Sequence, residues 1–343
     1  MGLRADMSGR GRRWVAALLL AAAVGTTDAP RAAASDDAPP PTPEVLSAVV
    51  RLTAEVPANA RTAGFLGIER EGSGIVIDDG GLVLTIGYLI LEATAVTVYD
   101  GDGRPVEADI VAYDFDTGLG LVRARSPLDV GHMALGDSSK IGRREPVLIA
   151  GAIGPRPVVG SFVVSRRQFV GYWEYLLDNA IFTAPPHPSW AGAALVGRDG
   201  RLLGVGSLLV KNAVASHRPV RGNMFVPINL LKPVLADLLA FGRSSAPPRP
   251  WLGMLAREVE DGVVVIAVMP DGPAERAGVR PGDGVRQVAG EPVTGLADMF
   301  RKIWRLGSAG VPVPLALERE NERRSIVVQS ADRSEYLRLS RRH

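Results

Sequence analysis

The chain has 343 residues, enough for two domains that each bury a core. It contains no cysteine, which excludes disulfides, thiol catalysis and zinc–thiolate sites together and leaves the redox compartment unread. The formal charge of +2 arises at the start of the chain: Arg4, Arg10, Arg12, Arg13 and Arg31 against Asp6 and Asp28 lie in the first 34 residues, so the rest carries −1 and gives no reason to expect nucleic acid as a partner.

The four arginines up to Arg13 precede an apolar run from Trp14 to Val24, and Ala32-Ala33-Ala34 offers an A-x-A cleavage site before Ser35. That is the three-part pattern of a secretory signal, over residues 1–34. The run is shorter than the about 20 apolar residues a membrane span needs, so a cleaved signal is expected and an uncleaved anchor is the alternative. A lipid anchor is excluded for want of cysteine, and the residues after Arg12-Arg13 fit a twin-arginine signal poorly. Residues 35–44, with Ala38 to Pro43 reading APPPTP, form an extended Pro-rich spacer.

From Leu46 the chain becomes a series of short β-like runs divided by Gly, Asp and Pro turns: VVRLTAEV, GIVID, LVLTI, AVTVYD, EADIVAY, GLVRA, PVLIA and VVGSFVVS. Strands at that spacing, without helical repeats between them, predict a sandwich or a pair of barrels. Asp100 to Gly103, DGDG, has the beginnings of a calcium loop, but Arg104 and Val111 stand at its fifth and twelfth positions where oxygen ligands are needed, so it reads as a hairpin turn. Asn229 to Phe241 has the apolar spacing of a helix. Residues 242–249 are rich in Ser, Pro and Arg and mark a linker between a first domain over 45–241 and a second over 250–330. The remaining 331–343, with Arg333, Arg338, Arg341 and Arg342, read as a basic, solvated tail. His132, His187, His217 and His343 show no metal-ligand spacing, and no P-loop, GxGxxG or GxSxG element stands in a supporting context, so neither a metal nor a cofactor is expected.

Gly72 to Ile90, GSGIVIDDGGLVLTIGYLI, resembles the trypsin-like proteases of the HtrA (Deg, Do-like) family, where the stretch reads roughly GSGFVID and then GYILTNAHVV. Tyr113 to Val122, YDFDTGLGLV, resembles the family's D-x-x-T-D-L-A-L-L. Thr183 to Val196, TAPPHPSWAGAALV, resembles T-D-A-x-I-N-P-G-N-S-G-G-P-L-V. The motifs come in the family's order, and LGDSSKIG and GRDGRLLGVGS accompany them. The resemblance runs from about Val45 to about Gln329 and implies a mostly β chain: a trypsin-like double β-barrel followed by one PDZ domain of α+β type. The secretory signal over 1–34 makes the periplasm the expected location.

At the three positions that carry chemistry the sequence departs from the family. Tyr88 stands where the family has its general-base histidine, Gly118 replaces the triad aspartate, and Ala191 replaces the nucleophilic serine. Acyl transfer needs a hydroxyl nucleophile, an imidazole to take its proton and a carboxylate to orient that imidazole. A methyl group cannot attack, a phenol with an ordinary pKa near ~10 is a poor base, and glycine orients nothing. Ser189 further replaces the glycine that opens the family's oxyanion loop. The expectation is therefore a pseudoprotease. His187 and Ser189 beside the lost nucleophile leave a rewired hydrolytic dyad as an alternative, and a structural scaffold is another.

Trp251 to Met254, WLGM, followed by VMPDGPAERAGVRPGDGVRQVAGEPV, resembles an HtrA-type PDZ domain. The resemblance implies that main-chain N–H groups around Leu252, Gly253 and Met254 hold a peptide's terminal carboxylate, that the peptide adds as a strand beside about Met254 to Glu258, and that the helix Leu296 to Leu306 forms the other wall. Trp251, Leu252, Gly253, Met254, Met299 and Ile303 are the candidate peptide-binding residues, although the helix residues serve equally well as plain core. The partners implied are the C-termini or extended segments of unfolded or envelope proteins, or an active homologous protease. Homo-trimers of the family assemble through the N-terminal segment, a feature that the loop after Val56 leaves open. Membrane contact is not expected once the signal is removed.

Overall fold

A computed structural model describes residues 43–154, 157–215 and 218–337. The signal over 1–34, nearly all of the spacer, His217, His343 and the tail arginines 338, 341 and 342 lie outside the described residues.

Helix α1 (Pro43–Ser47) leads into β1 (Val49–Glu55), where Val50, Leu52 and Ala54 are buried while Arg51 and Glu55 face solvent, the period-two alternation of a half-buried strand. A short helix α2 (Ala63–Leu66) precedes β2 (Glu69–Val76), β3 (Leu82–Ile86), β4 (Ala95–Tyr99), β5 (Pro105–Tyr113) and β6 (Leu119–Ala124). These strands close into a barrel in the order β1-β2-β3-β6-β5-β4. The DGDG segment is the turn between β4 and β5, where the Asp100 carboxylate accepts from the N–H groups of Asp102 and Arg104.

A second barrel follows, built from β7 (Pro146–Ala150), β8 (Val158–Gly171), β9 (Tyr175–Ala184), β10 (Ala194–Val196), β11 (Leu202–Val210) and β12 (Gly222–Pro227) in the order β10-β11-β12-β9-β8-β7. Strand β3 is buried along its whole length, and it meets β11 of the second barrel. One apolar cluster runs through residues of both barrels, and a smaller one around Ile149, Leu195 and Phe225 fills the second. Strands β8 and β9 have 14 and 10 residues and form the longest hairpin among the described residues, with Tyr172, Trp173 and Glu174 at its tip.

The helix expected over Asn229 to Phe241 is interrupted. A 3₁₀ turn covers Ile228–Leu230 and α3 (Leu235–Phe241) starts only after Pro233, whose ring disfavours a helical conformation in the residue before it. Gly242, in the left-handed conformation, closes α3 by donating to Leu238 O. The 242–249 segment is packed rather than free. Arg249 lies over the Trp304 ring at 4.3 Å and pairs with Asp116 at 3.2 Å, while Pro248 O accepts from Ala309 N.

The last sheet comprises β13 (Met254–Val259), β14 (Gly262–Val268), β15 (Gly284–Val288), β16 (Glu291–Pro292), β17 (Pro312–Arg319) and β18 (Glu322–Gln329), with α4 (Pro273–Arg276) and α5 (Leu296–Arg305) against it. Its turn aspartate, Asp283, is fully buried and accepts from Arg319 at 2.6 and 2.8 Å. The expected mostly-β architecture, a double barrel and then a PDZ-type α+β domain, is the one observed. The tail differs from expectation. Ala331 pairs with Trp251, α6 (Arg333–Tyr336) follows, and Arg333 lies over the Phe115 ring and donates to Trp173 O. Local charge suggested solvent here, but an aromatic face and a carbonyl hold the guanidinium instead.

Candidate functional site

Tyr88, Gly118 and Ala191, the positions that the resemblance aligns with the triad, lie where the two barrels meet. Tyr88 sits on the 3₁₀ turn Gly87–Leu89 that ends β3, and Gly87 N donates to Gly118 O at 2.8 Å. The Tyr88 hydroxyl donates to Ser207 O of β11 at 2.9 Å, and burial pushes its phenol pKa further up. It acts as a tie from the first barrel to the second, in a protonation state opposite to that of a base.

Gly118 has a φ of +73°. It follows a turn in which the Asp114 carboxylate accepts from the Thr117 hydroxyl at 2.6 Å and Gly118 N donates to Asp114 O at 2.8 Å. A Cβ at Gly118 would stand 3.2 Å from the ring and hydroxyl of Tyr175, whose OH donates to Thr117 O at 2.6 Å. The space that a side chain at this position would enter is therefore filled by a tyrosine from β9.

Ala191 accepts from Ser73 N through its carbonyl at 2.8 Å. Gly192, at φ +74°, packs so closely that a Cβ would lie 1.9 Å from Ser73 O, and its N–H donates to Gly206 O. The fully buried His187 is fixed by Asn223, which accepts from His187 N at 2.6 Å. Nδ1 of His187 in turn accepts from Ser189 N at 3.0 Å. The N–H of Ser189 is thus engaged within the protein. The bond joins His187 to the main chain of Ser189, which is not the hydroxyl–imidazole contact that activates a nucleophile. Among the described residues no group of three or more His, Asp or Glu could hold a metal ion, and no helix is long and apolar enough to cross a membrane.

In the second domain the N–H groups of Leu252, Gly253 and Met254 converge on a single carboxylate, and that carboxylate belongs to the chain itself. Glu174 at the tip of the β8–β9 hairpin accepts from Leu252 N at 3.1 Å, from Gly253 N at 2.8 Å and from Met254 N at 3.3 Å. Burial pushes the Glu174 carboxyl up to about 7, against the opposing pull of those three N–H donors and of the Arg333 charge. Trp251 is buried against the Tyr336 ring, with centroids 4.5 Å apart. Met299 and Ile303 on α5 are fully buried in the domain's own core, and Val170 of β8 packs against that core from outside. Glu174 also lines a cavity of about 840 Å³ bounded by the first barrel, the 242–251 segment and the start of α6.

Sequence reasoning missed Glu174, Tyr172 and Tyr175. The one local signal is GYWEY, an acid inside an aromatic run at the tip of two long strands, which is an unusual composition for a solvated turn.

Residues 72–205 match the model of the trypsin-like peptidase domain, and residues 250–329 match that of the PDZ domain. The chain is 26% identical over 270 residues to the periplasmic serine endoprotease DegP of Salmonella typhimurium, covering 73% of this chain and 54% of that protein. It is 27% identical over 277 residues to a probable periplasmic serine endoprotease DegP-like of Brucella suis, covering 76% and 52%. With the putative protease Do-like 14 of Arabidopsis thaliana it shares 26% over 318 residues, covering 82% and 69%. The chain thus spans about half the length of the bacterial relatives it matches. Among solved structures, the HtrA-type protease AlgW with a decapeptide superposes with a TM-score of 0.51 at 21% identity, covering 84% of this chain and 97% of that one. A variant of the same protease with a tripeptide gives 0.53 at 22% identity, covering 84% and 95%. At that identity the likeness speaks for the fold alone. The two domain matches show a trypsin-like peptidase domain followed by a PDZ domain, and the curated relatives that the chain resembles are named DegP and Do-like proteases.

Proposed function

We propose that this chain is an exported, catalytically inactive HtrA-like pseudoprotease that works by binding C-terminal or extended peptide segments through its PDZ domain. Its setting on this reading is the periplasm, in envelope protein quality control or in regulating an active homologous protease. The observation that carries the peptide-binding part is the convergence of three main-chain N–H groups, from Leu252, Gly253 and Met254, on one carboxylate. A carboxylate held by backbone donors is the chemistry by which such grooves read a free C-terminus. Support for inactivity comes from the cleft. It presents a phenol, a hydrogen and a methyl at the three triad-equivalent positions, with Tyr175 filling the space beside Gly118 and the Ser189 N–H tied to His187. The N-terminal signal pattern and the periplasmic names of the curated relatives support the location.

The test is hydrolysis of casein and of peptide esters by the purified chain, together with labelling by a serine-directed fluorophosphonate. Turnover at the buffer rate and no labelling are expected. Activity that purifies with the chain and disappears in Ser189→Ala would replace this reading with that of a rewired hydrolase.

A further inference from the structure

The tip of the β8–β9 hairpin meets the PDZ domain in the manner of a bound peptide. Ala256 N, on the strand beside which a peptide would add, donates to Tyr172 O at 3.0 Å. Two residues further on, Glu174 places its carboxylate against the N–H groups of Leu252, Gly253 and Met254. Val170 packs on the apolar core of the domain between these contacts and the barrel. On the other wall Arg301 of α5 pairs with Asp178 of β9. The hairpin therefore contacts the carboxylate loop, the strand wall and the helix wall at once.

We infer that the second barrel closes the PDZ domain with an internal ligand, in which the side-chain carboxylate of Glu174 occupies the place of a peptide's terminal carboxylate and Tyr172 O takes the strand-adding hydrogen bond, so that a partner with a free C-terminus binds by displacing the hairpin tip. The inference rests on the peptide-binding reading of the preceding subsection for the displacement step only. Two features of the turn itself place these groups. Glu174 is the third residue of a three-residue turn between Gly171 and Tyr175 and adopts the left-handed φ of +58° that such a turn uses there. A Cβ at Gly171 would stand 2.9 Å from the Trp173 indole, so glycine permits the ring to fold back beneath the turn. The competitor that fits is a chain end, because a terminal carboxylate takes the three N–H donors while its own main chain reaches Ala256 N.

The experiment compares the full chain with Glu174→Gln and Glu174→Ala in two readouts. The first is hydrogen exchange at the amides of Leu252, Gly253, Met254 and Ala256, which needs no ligand. The second is binding of a pool of randomised heptapeptides that end in an apolar residue with a free carboxylate, with the amidated pool as control. Glutamine keeps the size of the side chain and removes its charge, and thermal melts of all three proteins confirm that each is folded. The expected result is faster exchange at the four amides in both variants and binding of the free-carboxylate pool at least ten-fold tighter than by the unaltered chain, with no gain for the amidated pool. Faster exchange without peptide binding by any of the three proteins supports the internal ligand and overturns the peptide-binding reading instead. Unchanged exchange in two folded variants overturns the inference, and so does equal binding of the free-carboxylate pool by all three proteins.

Discussion

A Cβ placed on Gly118 would stand 3.2 Å from the Tyr175 ring, and the backbone there is left-handed, so the position differs from an aspartate by more than a side chain. Gly118→Asp has to move a buried tyrosine whose hydroxyl is bonded to Thr117 O. Overpacking of this kind costs about 1–3 kcal/mol, which urea denaturation of the variant should register. For the same reason Tyr88→His, Gly118→Asp and Ala191→Ser, alone or together, are expected to give no fluorophosphonate labelling above background. A nucleophile without an oriented base is nearly inert, and the Ser189 N–H stays engaged by His187. Labelling of Ala191→Ser alone would mean that another base already faces this position. Glu174 supplies a second prediction. Its carboxyl is raised from 4.5 to about 7 by burial, so the folded chain holds this proton more tightly than the unfolded chain does. Stability from this group is therefore fully present below about 4.5 and is lost as pH rises through about 7. The Arg333 charge opposes that rise in the carboxyl's pKa. Melting temperatures of the unaltered chain should fall between pH 5 and 8 relative to those of Glu174→Gln, and parallel curves would remove Glu174 as the cause.

The carboxylate loop Leu252–Met254 is shaped by Gly253 at φ +72°, where an added Cβ would meet the Trp251 ring at 2.9 Å and Pro273 at 3.3 Å. A larger residue here distorts the loop itself before it obstructs any ligand, so Gly253→Ala is expected to lower stability by roughly 1–3 kcal/mol as measured by denaturation. A Gly253→Ala chain as stable as the unaltered one would show that the loop tolerates another geometry. The elements differ in how far their sequences disclose them. Strand β1 announces itself through alternation, and flanking motifs such as GSGIVID set the register by which Tyr88, Gly118 and Ala191 are aligned with the triad in the sequence. Helix α3 was read too long, since apolar spacing runs through Pro233 while the backbone does not. The partner of the carboxylate loop was not legible at all. Glu174 is 78 residues from Leu252 along the chain, and no local pattern reports which distant loop an acid will meet. Arg333 is the same case with the opposite charge: its neighbours in sequence suggest solvent, and its neighbours in space are Phe115 and Trp173.

At the scale of the molecule, the PDZ domain touches the barrels on more than one side. The hairpin tip is bonded to the carboxylate loop and Arg249 pairs with Asp116. Elsewhere Arg61 of the first barrel donates to Pro270 O at 2.9 Å and lies over the Tyr336 ring at 4.1 Å, while the Tyr336 hydroxyl also donates to Pro270 O. Domains joined only by a linker unfold independently, whereas contacts of this breadth couple them, because opening one domain exposes the buried Glu174 and Trp251 of the shared surface. Urea unfolding of the full chain followed by tryptophan fluorescence and by far-ultraviolet circular dichroism is therefore expected to give coincident transitions. Glu174→Ala removes the acceptor of three main-chain N–H groups and leaves them facing an apolar side chain, a loss of about 1–3 kcal/mol for an unsatisfied buried donor. With that tie gone, the PDZ domain should melt at lower urea than the barrels and the two probes should separate. If the probes already disagree in the unaltered chain, the surface between the domains does not couple them, and the closing of the groove by the hairpin would be a contact too weak to regulate binding.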